Sequence, residues 1–358
     1  MKKILILILF FLIINANAAY DPIKRLRAEI NLHQVTNKFP YNITKQRSIV
    51  IVLDNSNKID LYWKEKSKQL HKGLILMNAD PTAYVHIYDF YSNTIIHKAY
   101  LKYISKRKIM NMIVFDIPRN RVSILALTNL AEFNYSKAIW SINGNSINDL
   151  LYRMGLVVKR NKYKPENFLI PGQPEFIEDI NIHSGETYEN YPSIIARQKV
   201  GFALFEKINI PDNRPEERMD KAKLYNASVD RQNEQMKLMF YNHEYNWKAI
   251  LFESNIEASR KGFQYVYFLS CTSGLNLRQT LDYPTGNEET HYMTTGDGDM
   301  MNKGFRRIVI EATELIHKGY LHQVISDDIF VGREWDAHTS MTGAIKNFFY
   351  SLENQFKN

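Results

Sequence analysis

The sequence predicts an α+β protein in two domains, the first rich in strands and the second a mixed, helix-rich α/β domain. Three observations predict it. From Ser48 onward, short apolar runs alternate with Asn/Asp turns, as strands do. Lys159 to Lys164 is basic, and Pro165, Pro171 and Pro174 interrupt regular structure, which places a linker at 165–178. Beyond it, long stretches with helical spacing dominate. The expected organisation is a leader at 1–18, a lead-in at 19–47, a first domain at 48–164, the linker, and a second domain at 179–358.

The leader rests on a three-part layout. Met1-Lys2-Lys3 is cationic, Ile4 to Ile14 is unbroken and apolar, and Ala16-Asn17-Ala18 puts small residues at the cleavage offsets of a secretory signal peptide. Eleven apolar residues make a helix about 16 Å long against a hydrocarbon core of about 30 Å, so the run engages a translocon but spans a bilayer poorly. No cysteine lies near it to carry a lipid. The mature chain is therefore expected in a periplasm or outside the cell, with no membrane-spanning segment left after cleavage.

In the first domain, Ile49 to Leu53 reads as a strand closed by Asp54-Asn55-Ser56-Asn57, with further strands at Ile59 to Trp63 and Gly73 to Met77. Ile95 to Ile104 has apolar positions at helical spacing. Strands follow at Met112 to Phe115, Val122 to Leu127 and Ala138 to Ile142. Next come an Asn143-Gly144 turn and a helix over Ser146 to Val157 with Asp149 in its first turn. In the second domain, helices are expected at Pro192 to Ile208, Arg214 to Tyr241, Phe305 to Lys318 and Thr339 to Phe356. Strands are expected at Lys248 to Glu253, Tyr265 to Leu269, Val324-Ile325 and Ile329 to Val331, and Gly286 to Asp299 is a polar loop. No repeat is visible at solenoid periods.

Composition narrows the function classes. Hydrophobic residues at 45% and aromatics at 13% suffice for buried cores and argue against disorder. Cys271 is the only cysteine, so no intramolecular disulfide forms and both domains depend on their cores. Net charge is +8, and 44 basic against 38 acidic residues remain once Lys2 and Lys3 leave, an excess that suits nucleic acid or other anionic polymers of an envelope.

Four stretches in order carry a resemblance. They are Val50 to Tyr62, Gly73 to Pro81, Phe115 to Ala126, and Ile142 to Val158, which reads I-N-G-N-S-I-N-D-L-L-Y-R-M-G-L-V-V. Together they resemble the staphylococcal-nuclease-like (thermonuclease) family, whose fold is a five-stranded OB-type barrel with helices, here over residues 48–163. The resemblance implies a phosphodiester-cleaving face with carboxylates on Ca²⁺ and two arginines on the phosphate. Asp54 matches one such carboxylate, and Arg121, or Arg119 with a slip, matches one arginine. The rest departs. Ser56 or Asn57 stands at the next ligand position, Gly73 beside Lys72 at the first arginine, Asn78 at the second carboxylate, and Asp80-Pro81 replaces Pro-Glu. Each lost group removes several kcal/mol of transition-state stabilisation, on the order of 3 kcal/mol for a single donor, so the barrel is expected to bind rather than cut. Its binding set would be Asp54, Lys72, Asp80, Arg119 and Arg121.

Two other places invite chemistry. An apolar strand delivers Cys271 to a small-residue turn and a short one ends at His183, so the two are candidates for a cysteine-nucleophile pair, as in caspase-like peptidases. A buried structural cysteine is the competing reading. Glu289, His291, Asp297 and Asp299 gather oxygen and imidazole ligands in one loop, as Ca²⁺ or a transition metal would want, without the closing Glu of an EF-hand. No cofactor is otherwise called for. The sequence thus favours an exported soluble binding protein whose partner is a polyanion or an envelope protein. A hydrolase centred in the second domain and a weak metal-dependent nuclease are the alternatives.

Overall fold

The computed structural model describes residues 20–56, 59–161, 171–177, 180–283, 291–295, 307–333 and 335–357. The chain forms two compact units. The first comprises Leu26–Ile182 with Thr313–Leu315, and the second holds the stretch ending at Arg25, His183–Ala312 and Ile316–Asn358. The leader lies outside the described residues.

Helix α1 (Pro22–Asn31) is followed in the first unit by β1 (Val35–Thr36), a 3-10 turn at Tyr41–Thr44 and β2 (Arg47–Leu53). Then come α2 (Tyr62–Leu76), β3 (Asp80–His86), α3 (Ile87–Phe90), α4 (Thr94–Lys106) and β4 (Asn111–Asp116). An antiparallel pair, β5 (Arg121–Ala126) and β6 (Ile139–Asn143), leads into α5 (Ile147–Asn161). The six strands form one sheet in the order β1-β6-β5-β4-β2-β3, with β2 parallel to both β3 and β4. Ile49–Leu53 is wholly buried because a parallel strand is covered on both faces, which is why it reads as a continuous Val/Ile/Leu run.

This sheet is open, and the expected five-stranded barrel does not appear among the described residues. Parallel neighbours need crossover helices, and α2 supplies one where the sequence reading placed strands at 59–63 and 73–77. Trp63, Ser67, Leu70, His71, Gly73 and Leu74 are its buried positions, a helical stripe hidden between two short apolar runs. Val50, Val52, Tyr84 and Phe115 meet Leu70, Leu74, Leu150 and Met154 in one core, so α2 and α5 cover the same face of the sheet. The crossovers β2-α2-β3 and β3-α4-β4 run in opposite directions across the sheet, and right-handed connections then put α4 on the other face. The β3 edge is paired: Tyr84 N donates to Glu175 O at 2.8 Å, and Ile177 N to Tyr84 O at 2.9 Å.

The second unit contains β7 (Thr187–Tyr188), β8 (Val200–Ala203), α6 (Glu216–Tyr241), β9 (Trp247–Ile250), α7 (Asn255–Arg260), β10 (Tyr265–Ser273) and α8 (Gly274–Thr280). A separate antiparallel pair, β11 (His291–Thr295) and β12 (Arg307–Glu311), precedes β13 (Leu315–Gln323), β14 (Ile329–Phe330) and α9 (Met341–Lys357). The helix expected at 305–318 is therefore strand in its described part. The helix expected at 192–208 is a 3-10 turn followed by β8. The sheet runs β7-β14-β13-β10-β8-β9, with β8 parallel to β9 and β10. Phe202, Phe240, Trp247, Tyr267 and Phe348 form the aromatic centre of its core.

The two strand orders are one topology used twice. β1, β6, β5, β4, β2 and β3 occupy the places of β7, β14, β13, β10, β8 and β9. Residues 35–54 and 187–206 also align without a gap: Pro40 with Pro192, Ile43 with Ile195, Gln46 with Gln198, and conservatively Lys45 with Arg197, Arg47 with Lys199 and Asp54 with Glu206. In both copies the proline enters a 3-10 turn and the isoleucine is fully buried beneath it.

Candidate functional site

In the first unit β3 lies on one side of β2 and β4 on the other, so the winding reverses between β2 and β4. The carboxyl ends of strands at such a reversal are the usual ligand position of open α/β sheets. Leu53 ends β2 in register with Asp116, which ends β4 in register with Arg121 of β5. Asp54 follows immediately, its carboxylate accepting from Ser56 N at 3.3 Å and Ser56 Oγ at 3.4 Å. Burial raises its pKa, and the neighbouring Asp60 charge adds to the rise. Arg27 donates Nε to Asp116 Oδ2 at 2.9 Å and Nη2 to Oδ1 at 2.8 Å, a bidentate fork, with Arg119 Nε 3.8 Å from the same carboxylate.

The expected binding set is thus divided. Asp54, Arg119 and Arg121 come to the carboxyl edge. Asp80 opens β3 level with Arg47, at the far end of β2, about 23 Å away at a strand's rise per residue. Lys72 lies toward the end of α2, an exposed helical position. Asp116 has both oxygens on Arg27, so the edge does not present two open carboxylates to a hard cation. Among the described residues no group of three His, Cys, Asp or Glu is placed to hold a metal ion. Glu289, Asp297 and Asp299 lie outside the described residues, and His291 opens β11, its backbone level with Glu311.

The helical layer over the sheet is strongly basic. α2 and α5 approach so closely at Gly73 that a Cβ there would stand 2.6 Å from Leu151 Cδ2. Their outward stripes expose Lys68 and Lys72 on α2, and Arg153, Lys159 and Arg160 on α5. Arg153 is held by Asp149 at 3.1 Å. On the opposite face, α4 carries Lys98, Lys102 and Lys106 at successive i, i+4 positions and no carboxylate of its own. Like charges at that spacing destabilise a helix slightly, so nothing in helix formation itself accounts for the pattern.

In the second unit Cys271 is buried near the end of β10, and burial pushes its thiol up to about 12, so it is held as the neutral thiol. His183 lies outside any strand, its Nδ1 3.2 Å from Gly185 O. No hydrogen bond joins the two. A different histidine is engaged: His322 Nε2 donates to Asp327 Oδ1 at 2.7 Å. Ser184 donates to Asp327 Oδ2 through N at 2.6 Å and Oγ at 2.8 Å, and Asn255 Nδ2 donates to Oδ1 at 3.0 Å. Burial alone would raise Asp327, but the Ser184 and His322 hydrogen bonds outweigh it and lower the pKa. The serine and histidine both address the carboxylate and not each other, so this is a tie between β13 and the segment before β7 rather than a nucleophile. Lys318 and Asp336 form an ion pair with no solvent exposure worth the name, at 0% and 1%. Lys318 Nζ also donates to Gly319 O at 2.9 Å and Val331 O at 2.7 Å.

Sequence reading missed Arg27 and Lys318. Arg27 sits in the lead-in, and only tertiary packing delivers it to Asp116. Lys318 falls at the end of the helix expected over 305–318, and its strand, Leu315–Gln323, alternates too weakly to announce itself. No family model matches this chain, and no curated protein or solved structure is significantly similar to it.

Proposed function

We propose that the chain is an exported binding protein whose first unit engages a polyanionic ligand of the cell envelope. One observation supports this reading above the others: the charge is segregated. Residues 26–182 hold 22 of the 46 Lys and Arg and only 13 of the 38 Asp and Glu, while the rest of the chain holds 24 and 25. A frequency of lysine set by composition alone would raise the charge of both units. Here one unit carries the whole excess and its topological twin carries none, which is what recruitment of anions by one surface requires. Arg119 and Arg121 at the carboxyl edge add bidentate donors for phosphate, sulfate or carboxylate groups.

Salt dependence tests it. Binding of a single-stranded oligonucleotide, followed by fluorescence anisotropy, should weaken about 50-fold between 50 and 200 mM salt if about four phosphates are neutralised. Binding that is absent at low salt, or indifferent to salt, overturns the proposal. No observation favours the hydrolase or nuclease readings over it.

A further inference from the structure

We infer that the α2/α5 face of the first unit is a docking surface for a bilayer rich in anionic phospholipid; this rests on the polyanion reading and names the ligand class. Two features of that face together select lipid. Lys68, Lys72, Lys159 and Arg160 point away from the sheet and supply the cationic component. Among them stand large apolar side chains left in water: Leu61 and Leu76, at the two ends of α2, are 68% and 66% exposed, and Tyr152 on α5 is 66% exposed. Leucine has no π-face to stack on a base and no donor for a phosphate, so against a nucleic acid or a polysaccharide these residues gain little. At a headgroup boundary they enter the acyl region while the lysines remain among the phosphates, the division of labour of interfacial helices. Tyr152 has the ring-plus-hydroxyl form that settles at that depth. The two helices pack against each other, closely at Gly73, and cover the same face of the sheet, so their outward side chains can meet one bilayer surface. α4, on the opposite face, is as basic but exposes no large apolar side chain. Charge alone therefore does not distinguish the faces; the leucines do.

The experiment uses the chain from Ala19 onward, because the apolar leader would itself enter a bilayer. Co-sedimentation is measured with vesicles of phosphatidylcholine alone and with 30–40% phosphatidylglycerol (roughly the anionic fraction that gives a strongly negative surface), beside anisotropy on the oligonucleotide. Binding to the anionic vesicles and not to the neutral ones is expected, alongside binding to the oligonucleotide. K68E/K72E/K159E should weaken it about 100-fold, whereas K98E/K102E/K106E, an equal change on the opposite face, should weaken it less than about threefold. L61S/L76S should weaken vesicle binding at least about tenfold and leave the oligonucleotide within about twofold. All three variants change exposed side chains, and unchanged thermal melts confirm that each is folded. Equal loss from the two charge reversals, or no loss from the serine variant, overturns the assignment of this face to lipid. No vesicle binding alongside salt-sensitive oligonucleotide binding overturns the lipid inference and leaves the polyanion reading standing. Binding to neither ligand removes both.

Discussion

His86 closes β3 fully buried, against the rings of Trp63 and Tyr88, and neither of its ring nitrogens has a partner among the described residues. Burial drives its pKa down to about 3, and His317 in the second unit down to about 4. Both folded values lie below the unfolded value, so both stabilise fully above pH 6.5 and lose that stability as the pH falls through the window toward 4 and 3. Each costs about 1.4 kcal/mol per pH unit there. His86→Phe, which keeps the ring contacts, should lessen the fall of the melting temperature between pH 6.5 and 4.5. An unchanged pH slope would show that His86 is solvated. Asp54 works in the opposite direction: its raised pKa means the fold pays for keeping the carboxylate charged at neutral pH. Asp54→Asn should therefore raise the melting temperature at pH 7 and leave it unaltered near pH 3, where both states are protonated. The Cys271 thiol should resist alkylation at pH 8 until the chain is unfolded; rapid labelling of folded protein would revive it as a reactive group. Lys318→Met leaves Asp336 buried without its cation and should cost about 3–5 kcal/mol in denaturant unfolding. Pairing it with Asp336→Leu should recover most of that loss.

At the scale of elements, α2 and α5 pack closely at Gly73. Gly73→Ala puts a Cβ 2.6 Å from Leu151 Cδ2, the far end of a flexible side chain that must swing aside, so it should lower the melting temperature slightly, by about 1 kcal/mol of overpacking. Repacking by Leu151→Ala in the same chain should restore part of it. The elements also show which local signals were readable. The helix at 94–106 and the strands at 111–116 and 121–126 stand close to where hydrophobic spacing puts them, since each is long and has one clean period. α2 was not legible because its lysines and glutamate separate Trp63, Leu70 and Leu74 into short runs that look like strand ends. β8 was not legible because Val200–Ala203 has only four residues and sits inside a longer apolar stretch with near-helical spacing.

The molecule as a whole repeats one strand order in two units that differ in charge. The pairing of Pro40, Ile43 and Gln46 with Pro192, Ile195 and Gln198 is too sparse to stand out in one sequence. It acquires meaning once each triplet is seen to introduce the second strand, β2 or β8, of an identically ordered sheet. Divergence of the surfaces predicts that neutralising cations of the second unit, as in Lys199→Gln with Lys207→Gln and Lys237→Gln, leaves the salt slope of polyanion binding unchanged. A reduced slope would place part of the binding surface there. Of the five residues named from sequence as one binding set, Asp54, Arg119 and Arg121 lie at the carboxyl edge of an open sheet, while Asp80 is at the other end of β2 and Lys72 is on a helix. The amino-acid sequence by itself determined the mixed α+β composition, the apolar leader pattern, the single cysteine and the basic excess, because these depend only on residue identity and short-range period. Tertiary structure alone decided that neighbouring strands run parallel, that Arg27 reaches Asp116, that Lys318 is buried on Asp336, and that the lysines of α2 and α5 share a face with leucines. Each of those depends on contacts between residues far apart in the chain, and pairing between distant segments leaves no mark in local periodicity.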